Sequence, residues 1–170
     1  FEDLGLPQNL IEKLSVQGIS EPTLIQYKAI PKALEGRDIL GLAQTGTGKT
    51  AAFVIPLLAS VLKIDGKREA KSVQSLILAP TRELAKQIDS TVKTFVEGSH
   101  LRVRLVVGGV SISGQIKRLS KGCDILVATP GRLIDLLNRD AVHFSDTKFL
   151  VLDEADQMLD LGFIHSLRKI

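Results

Sequence analysis

Ile39-Leu40-Gly41-Leu42-Ala43-Gln44-Thr45-Gly46-Thr47-Gly48-Lys49-Thr50 passes from a short apolar run, through a loop of small residues, into an apolar segment that continues to Leu62. Strand, loop and helix in that order give Gly46–Thr50 the setting of a phosphate-binding loop. Gly46 and Gly48 let the backbone come close to an anion, and successive N–H groups at a helix start form a concave, partly positive nest. Lys49 supplies a point charge for the β- and γ-phosphates, and the Thr50 hydroxyl is a ligand for Mg²⁺. Ala43 stands where the general pattern has Gly, the smallest departure available. A Gly/Thr-rich turn without a ligand would have the same composition, so the loop is judged with the rest of the chain.

Upstream, Phe1-Glu2-Asp3-Leu4-Gly5-Leu6 precedes a helix over Pro7–Gln17, with Leu10, Ile11 and Leu14 at helical spacing and Gly18 as its stop. Glu21-Pro22-Thr23-Leu24-Ile25-Gln26 opens a second helix that carries Ala29, Ile30, Ala33 and Leu34. Pro22 fits near that start, where its missing N–H is harmless. Downstream, Val73–Ala79, Val103–Val107, Asp124–Ala128 and Lys148–Leu152 are short runs rich in Ile, Leu and Val. With Ile39–Ala43 they make five expected strands. Helical patterns at Thr81–Glu97, Ile112–Lys121 and Gly131–Asn138 separate them. The alternation predicts an α/β fold, a mostly parallel central sheet with helices on both faces. Pro56 predicts a bend in the helix after the loop, and the charged stretch Lys63–Ser72 reads as a solvated excursion.

Each expected strand runs straight into small or polar residues. They are Gln44–Thr50, Pro80-Thr81-Arg82-Glu83-Leu84, Gly108-Gly109, Thr129-Pro130-Gly131-Arg132 and Asp153-Glu154-Ala155-Asp156. Ligands of open parallel sheets bind beyond the carboxyl ends of the strands, so these groups mark one edge as a site. Phe149-Leu150-Val151-Leu152 delivers Asp153 and Glu154 there. This is the Walker-B pattern, in which an Asp holds Mg²⁺, while Glu154 is placed to orient or deprotonate a water. An apolar strand ending in two acids means little by itself; behind a phosphate loop it becomes specific.

Composition narrows the partners. The chain's 170 residues, 44% of them hydrophobic, suffice for one domain with a buried core. A net charge of +3 permits nucleic acid without requiring it. Aromatics at 4%, with no Trp and a single Tyr, argue against a base-stacking sheet surface. Cys123 is the sole cysteine, which rules out a disulfide within this chain, fits a reducing compartment and reads as a buried structural thiol. Neither a secretory leader nor an apolar run of membrane-spanning length is present, so the expectation is a soluble, cytoplasmic monomer that does not meet a membrane.

With these residues in place, the chain resembles the N-terminal RecA-like domain of DEAD-box RNA helicases, over essentially all 170 residues. Phe1, Gly18, Pro22-Thr23 and Gln26 match the family's Q motif, and Ala43–Thr50 its motif I. Pro80–Leu84, Gly108-Gly109 with Gln115, Thr129–Arg132 and Asp153–Asp156 follow in family order. Leu24 departs from the usual Pro. The resemblance implies an RNA-stimulated ATPase that locally unwinds RNA duplexes or remodels ribonucleoprotein, with ATP and Mg²⁺ as cofactors. It implies that Phe1, Thr23, Gln26 and Gln44, Thr45, Gly46, Thr47, Gly48, Lys49 and Thr50 bind the nucleotide, with Gln26 reading the adenine edge. Lys49, Asp153 and Glu154 would be catalytic, and Thr50 and Asp153 would hold the metal. Pro80, Thr81, Arg82, Gly108, Gly109, Gln115, Thr129, Pro130, Gly131 and Arg132 would take the RNA sugar–phosphate backbone, without base specificity. Helix capping by Thr81 and Thr129 plus surface arginines explains the same residues without RNA.

The family's Ser-Ala-Thr motif would lie on the strand after Asp153–Asp156, and the chain stops at Ile170. The expectation is therefore residues 1–170 of a two-domain parent, binding ATP or ADP with little activity alone. The second RecA-like domain, with its arginine finger, would be the partner. Two rivals remain in view. A GTPase would want an Asn-Lys-x-Asp element, which Asn138-Arg139-Asp140 does not supply, and a small-molecule kinase would want an arginine-rich lid. A non-catalytic RNA-binding or scaffold module would not need intact Lys49, Thr50, Asp153 and Glu154.

Overall fold

The structure, a computed structural model, describes residues 1–44, 46–64 and 68–170. Thr45 of the phosphate loop and residues 65–67 of the expected excursion lie outside the described residues. The chain divides into two compact units, Phe1–Asp65 and Gly66–Ile170.

The first unit is helical. A 3₁₀ turn at Glu2–Leu4 precedes α1 (Gln8–Val16), α2 (Leu24–Leu34) and α3 (Lys49–Val61). Leu10 and Leu14 of α1 and Ile30 of α2 are buried, as their helical spacing predicts. In α3 nearly every residue from Val54 to Val61 is buried, so this helix is apolar all round rather than on one stripe. It runs through Pro56 without interruption. The expected strand at Ile39–Ala43 is not formed: residues 39–43 are neither helix nor strand, with Leu40 88% and Leu42 86% exposed. An isolated extended segment has no ladder to satisfy its N–H and C=O groups, and the described residues of this unit contain no strand to pair with it.

The second unit carries the sheet. Its strands β1 (Val73–Leu78), β2 (Val103–Val106), β3 (Cys123–Ala128) and β4 (Phe149–Leu152) alternate with α4 (Arg82–Val96), α5 (Ile112–Leu119) and α6 (Pro130–Asn138). Two short helices follow, α7 (Ala155–Asp160) and α8 (Ile164–Leu167). The order is β2-β3-β1-β4, and every pairing is parallel. Leu76 and Leu78 register with Leu126 and Ala128 of β3 and with Leu150 and Leu152 of β4. Leu76, Leu78, Leu126 and Ala128 join one buried cluster with Leu119 of α5, Leu133 and Leu136 of α6, and Met158 of α7. The residues between them, Ile77, Ile125 and Val127, are buried on the opposite face, and α4 packs over β2 and β3. The strands β1 and β3, covered on both faces, read as continuous apolar runs, whereas β4 leaves Leu150 and Leu152 exposed.

No helix among the described residues is long and apolar enough to cross a membrane.

Candidate functional site

Expected site residues fall in both units, and each unit is built separately. In the first, Thr23 opens α2, and its N–H donates to Oε1 of Gln26, three residues on (3.0 Å). That is one half of a capping box. The other end of the same amide reaches the phosphate loop: Gln26 Nε2 donates to the Gly48 carbonyl at 3.1 Å. Gln26 is only 3% exposed, a buried polar side chain that ties the start of α2 to the last loop residue. Gly48 sits at φ 85 and Gly46 at φ 81, both left-handed. A Cβ on Gly48 would run into Gln26 Nε2, so this position needs glycine for two reasons. Thr47 Oγ1 donates to the Gln44 carbonyl at 2.7 Å and tightens the turn. Helix α3 begins at Lys49 with no side chain capping its N-terminus. Its first N–H groups thus face outward with the helix dipole behind them, the donor set a phosphate requires. Phe1 heads the 3₁₀ turn, where its carbonyl accepts from Leu4 N–H (3.0 Å).

In the second unit, parallel strands put all their carboxyl ends on one edge. Pro80, Thr81, Arg82, Gly108, Thr129, Gly131 and Arg132 line a single open cavity of about 500 Å³ there, together with Glu83 and Phe163. Thr81 caps α4 by accepting from Leu84 N–H at 3.2 Å. Arg82 then lies over Gly109, whose φ is 78 and where an added Cβ would collide with the guanidinium. Pro130 is the first residue of α6, after Thr129 at the N-cap.

Gln115 stands apart from the other expected contacts. It is 2% exposed, Nε2 donates to the Val107 carbonyl (3.0 Å), and Oε1 accepts from Arg132 Nη1 (2.9 Å). Arg132 also donates to the Val110 carbonyl at 3.0 Å. The buried amide therefore locks the loop after β2 to Arg132 in the first turn of α6. Phe163, by contrast, lines the cavity without having been singled out by sequence; a lone aromatic after a short helix offers no periodic signal.

At the end of β4, Asp153 N–H still pairs with the Leu78 carbonyl (2.9 Å), extending the ladder by one residue. Glu154 turns sharply out of it at φ 50, ψ 50, and its N–H donates to Asp153 Oδ1 at 3.1 Å. A non-glycine residue held left-handed costs of order 1–3 kcal/mol, a strain that tends to sit where a side chain must be aimed. No group of three or more His, Cys, Asp or Glu that could hold a metal ion occurs among the described residues. Asp153 and Glu154 offer carboxylate oxygens, the ligand type of a hard cation. Cys123 belongs to the core: burial, reinforced by Asp124, pushes its thiol up to about 12 from 9.0, so it is neither nucleophile nor ligand.

A parallel sheet with its loops converging on one edge, and a glycine nest at a helix start, define a RecA-like α/β domain of the phosphate-loop class. Comparison with known proteins makes this specific. The chain belongs to the DEAD/DEAH box helicase family, whose sequence model matches residues 23–170. It is 47% identical, over all of its 170 residues, to DEAD-box ATP-dependent RNA helicase 24 of Oryza sativa subsp. japonica. Among solved structures it superposes on the RNA-helicase Prp28 of Chaetomium thermophilum bound to ADP, with a TM-score of 0.91, 45% identity and the whole chain covered. The chain spans 22% of the length of the rice protein and 42% of the Prp28 chain.

Proposed function

We propose that residues 1–170 form the N-terminal, ATP-binding RecA-like domain of an ATP-dependent RNA helicase whose second domain lies elsewhere in the parent chain. The observation that carries this is the uncapped start of α3 behind Gly46 and Gly48, braced by Gln26. ATP is the cofactor on this reading. Gln26 retains one hydrogen on Nε2 and one lone pair on Oε1, the complement of an adenine edge, while it braces the loop. Thr23, Gln44 and residues 45–50 line the nucleotide, and Phe1 packs against the base. Lys49 meets the β- and γ-phosphates. Thr50 and Asp153 would each offer an oxygen to Mg²⁺, which would neutralise phosphate charge. Glu154 orients the attacking water and accepts its proton.

RNA is the second ligand. Arg82 and Arg132, with the helix-start N–H groups after Pro80 and Thr129, suit phosphates and sugars. Gln115 acts on RNA through Arg132 and the Gly108-Gly109 loop rather than by contact. Without the second domain's arginine finger, worth roughly 10³–10⁵ in rate, the chain hydrolyses little alone. In the parent, ATP and RNA would each favour the closed arrangement of two domains, so each would tighten the other. The buried lone thiol accords with a reducing compartment such as the cytoplasm.

Calorimetric titration with ADP, ATP and GTP in Mg²⁺ tests the reading. Adenine-selective binding should lose its selectivity in Gln26→Ala and weaken at least tenfold in Lys49→Ala. Equal affinity for GTP, or indifference to both substitutions, would sink it.

A further inference from the structure

A second groove, of about 330 Å³, runs along the outer edge of the sheet and reaches Val107, Val110 and Gln115 beyond the end of β2. Its floor is the edge strand β2 itself, from Val103 to Val107, with α4 forming one wall and α5 the other. The carbonyls of Arg102 and Val106 accept the amides of Ile125 and Thr129 at 3.2 and 3.1 Å. By the alternation of a parallel ladder, Leu105 therefore directs its N–H and C=O to the open side of the sheet. Four cations stand around this edge: Lys86 and Lys93 from α4, Arg104 from β2 and Arg118 from α5. Lys93 is half-exposed and is held by the buried carboxylate of Asp89 (2.7 Å). Arg104 donates to the carbonyls of Val103 (2.9 Å) and Arg118 (3.3 Å), so it folds over the strand edge.

Short length and a charged side chain are enough to blunt an edge strand against aggregation. A roomy cleft between two helices, with cations from three elements around an apolar floor, goes beyond that need. We propose that this groove binds an extended acidic polypeptide segment, which adds to β2 as a further strand. Its backbone would meet Leu105, its alternate apolar side chains would cover Val103 and Val110, and its carboxylates would face Lys86, Lys93 and Arg118. Arg104 would release the Val103 carbonyl and take a carboxylate instead. Single-stranded RNA fits the charge but offers no peptide ladder to the outward N–H and C=O of Leu105.

The test is fluorescence anisotropy of the whole chain with a labelled peptide of alternating glutamate and valine, about eight residues long, slightly more than a typical strand. Polyglutamate of equal length and an oligo(U) strand serve as competitors. The expected result is saturable binding that weakens at least tenfold in Lys86→Glu/Arg118→Glu and in Leu105→Pro, which removes the outward N–H together with the Leu105 side chain. Bound peptide should also slow hydrogen exchange at the Leu105 amide. If Leu105→Pro does not fold, the charge-reversal pair and the exchange measurement decide. Unchanged affinity in the reversal pair, equal binding of polyglutamate, displacement by oligo(U), or no protection at Leu105 would each overturn the proposal.

Discussion

At Gly48 backbone and side-chain requirements coincide. Its φ of 85 already disfavours any side chain by roughly 1–2 kcal/mol, and a Cβ there would also displace the Gln26 amide that holds the loop. Gly46 has nearly the same φ of 81 but open space where its Cβ would be. The two substitutions therefore separate backbone strain from steric conflict. Gly46→Ala should cost about 1–2 kcal/mol of stability from strain alone. Gly48→Ala should cost more and weaken ADP further, and adding Gln26→Ala to Gly48→Ala should restore part of the lost stability. Thermal melts and ADP titration of the unsubstituted chain, Gly48→Ala, Gln26→Ala and the pair form a double-mutant cycle; strict additivity would mean that Gln26 does not brace the loop.

Among elements, the helix starts carry most of the candidate site, and they differ in how much of this was readable. Thr81 and Thr129 precede α4 and α6 as N-caps, a position that a Thr before an apolar-periodic run announces in sequence. The strands β1 and β3 emerged close to their apolar runs because a strand buried on both sides leaves a dense Ile/Leu/Val signature, and β4 carries the same signature with Leu150 and Leu152 exposed. Ile39–Ala43 carries the same signature and is not a strand, since composition specifies a wish to be buried but not the neighbour that would complete a ladder. Gln115 was placed by the Gly108-Gly109 pattern, yet its burial was invisible: nothing in the spacing says that Val107 and Arg132 will consume its amide. That burial makes a prediction. Gln115→Ala leaves the Val107 carbonyl and one Arg132 N–H without their partner, at about 1–3 kcal/mol. Gln115→Glu keeps an acceptor for Arg132 but loses the donor to Val107. On the proposed reading, RNA affinity should fall in Gln115→Ala nearly as far as in Arg132→Ala, and Gln115→Glu should retain more. RNA binding in Gln115→Ala that matches the unsubstituted chain would leave Gln115 a packing residue only.

Across the whole molecule, charge separates a phosphate site from a merely basic protein. A net charge of +3 over 170 residues is too small to draw RNA strongly through the general field, so affinity has to come from local groups. The cavity at the strand ends offers Arg82 and Arg132. Each phosphate neutralised on a single strand contributes about 0.7 to the slope of log affinity against log salt. Replacing both arginines by Ala should therefore flatten the slope by about 1.4, the sum of two such contacts. Because the proposed contacts are to the backbone, oligo(U), oligo(C) and mixed sequences should show the same slope and similar affinities. The groove beside β2 provides an internal control, since it holds four cations of its own and adds no stacking surface. In Lys86→Glu/Arg118→Glu the RNA slope should stay where it is, while in Arg82→Ala/Arg132→Ala the peptide affinity should stay where it is. A slope that responds to the groove instead of the cavity would move RNA off the strand ends, and with it the role proposed for that cavity.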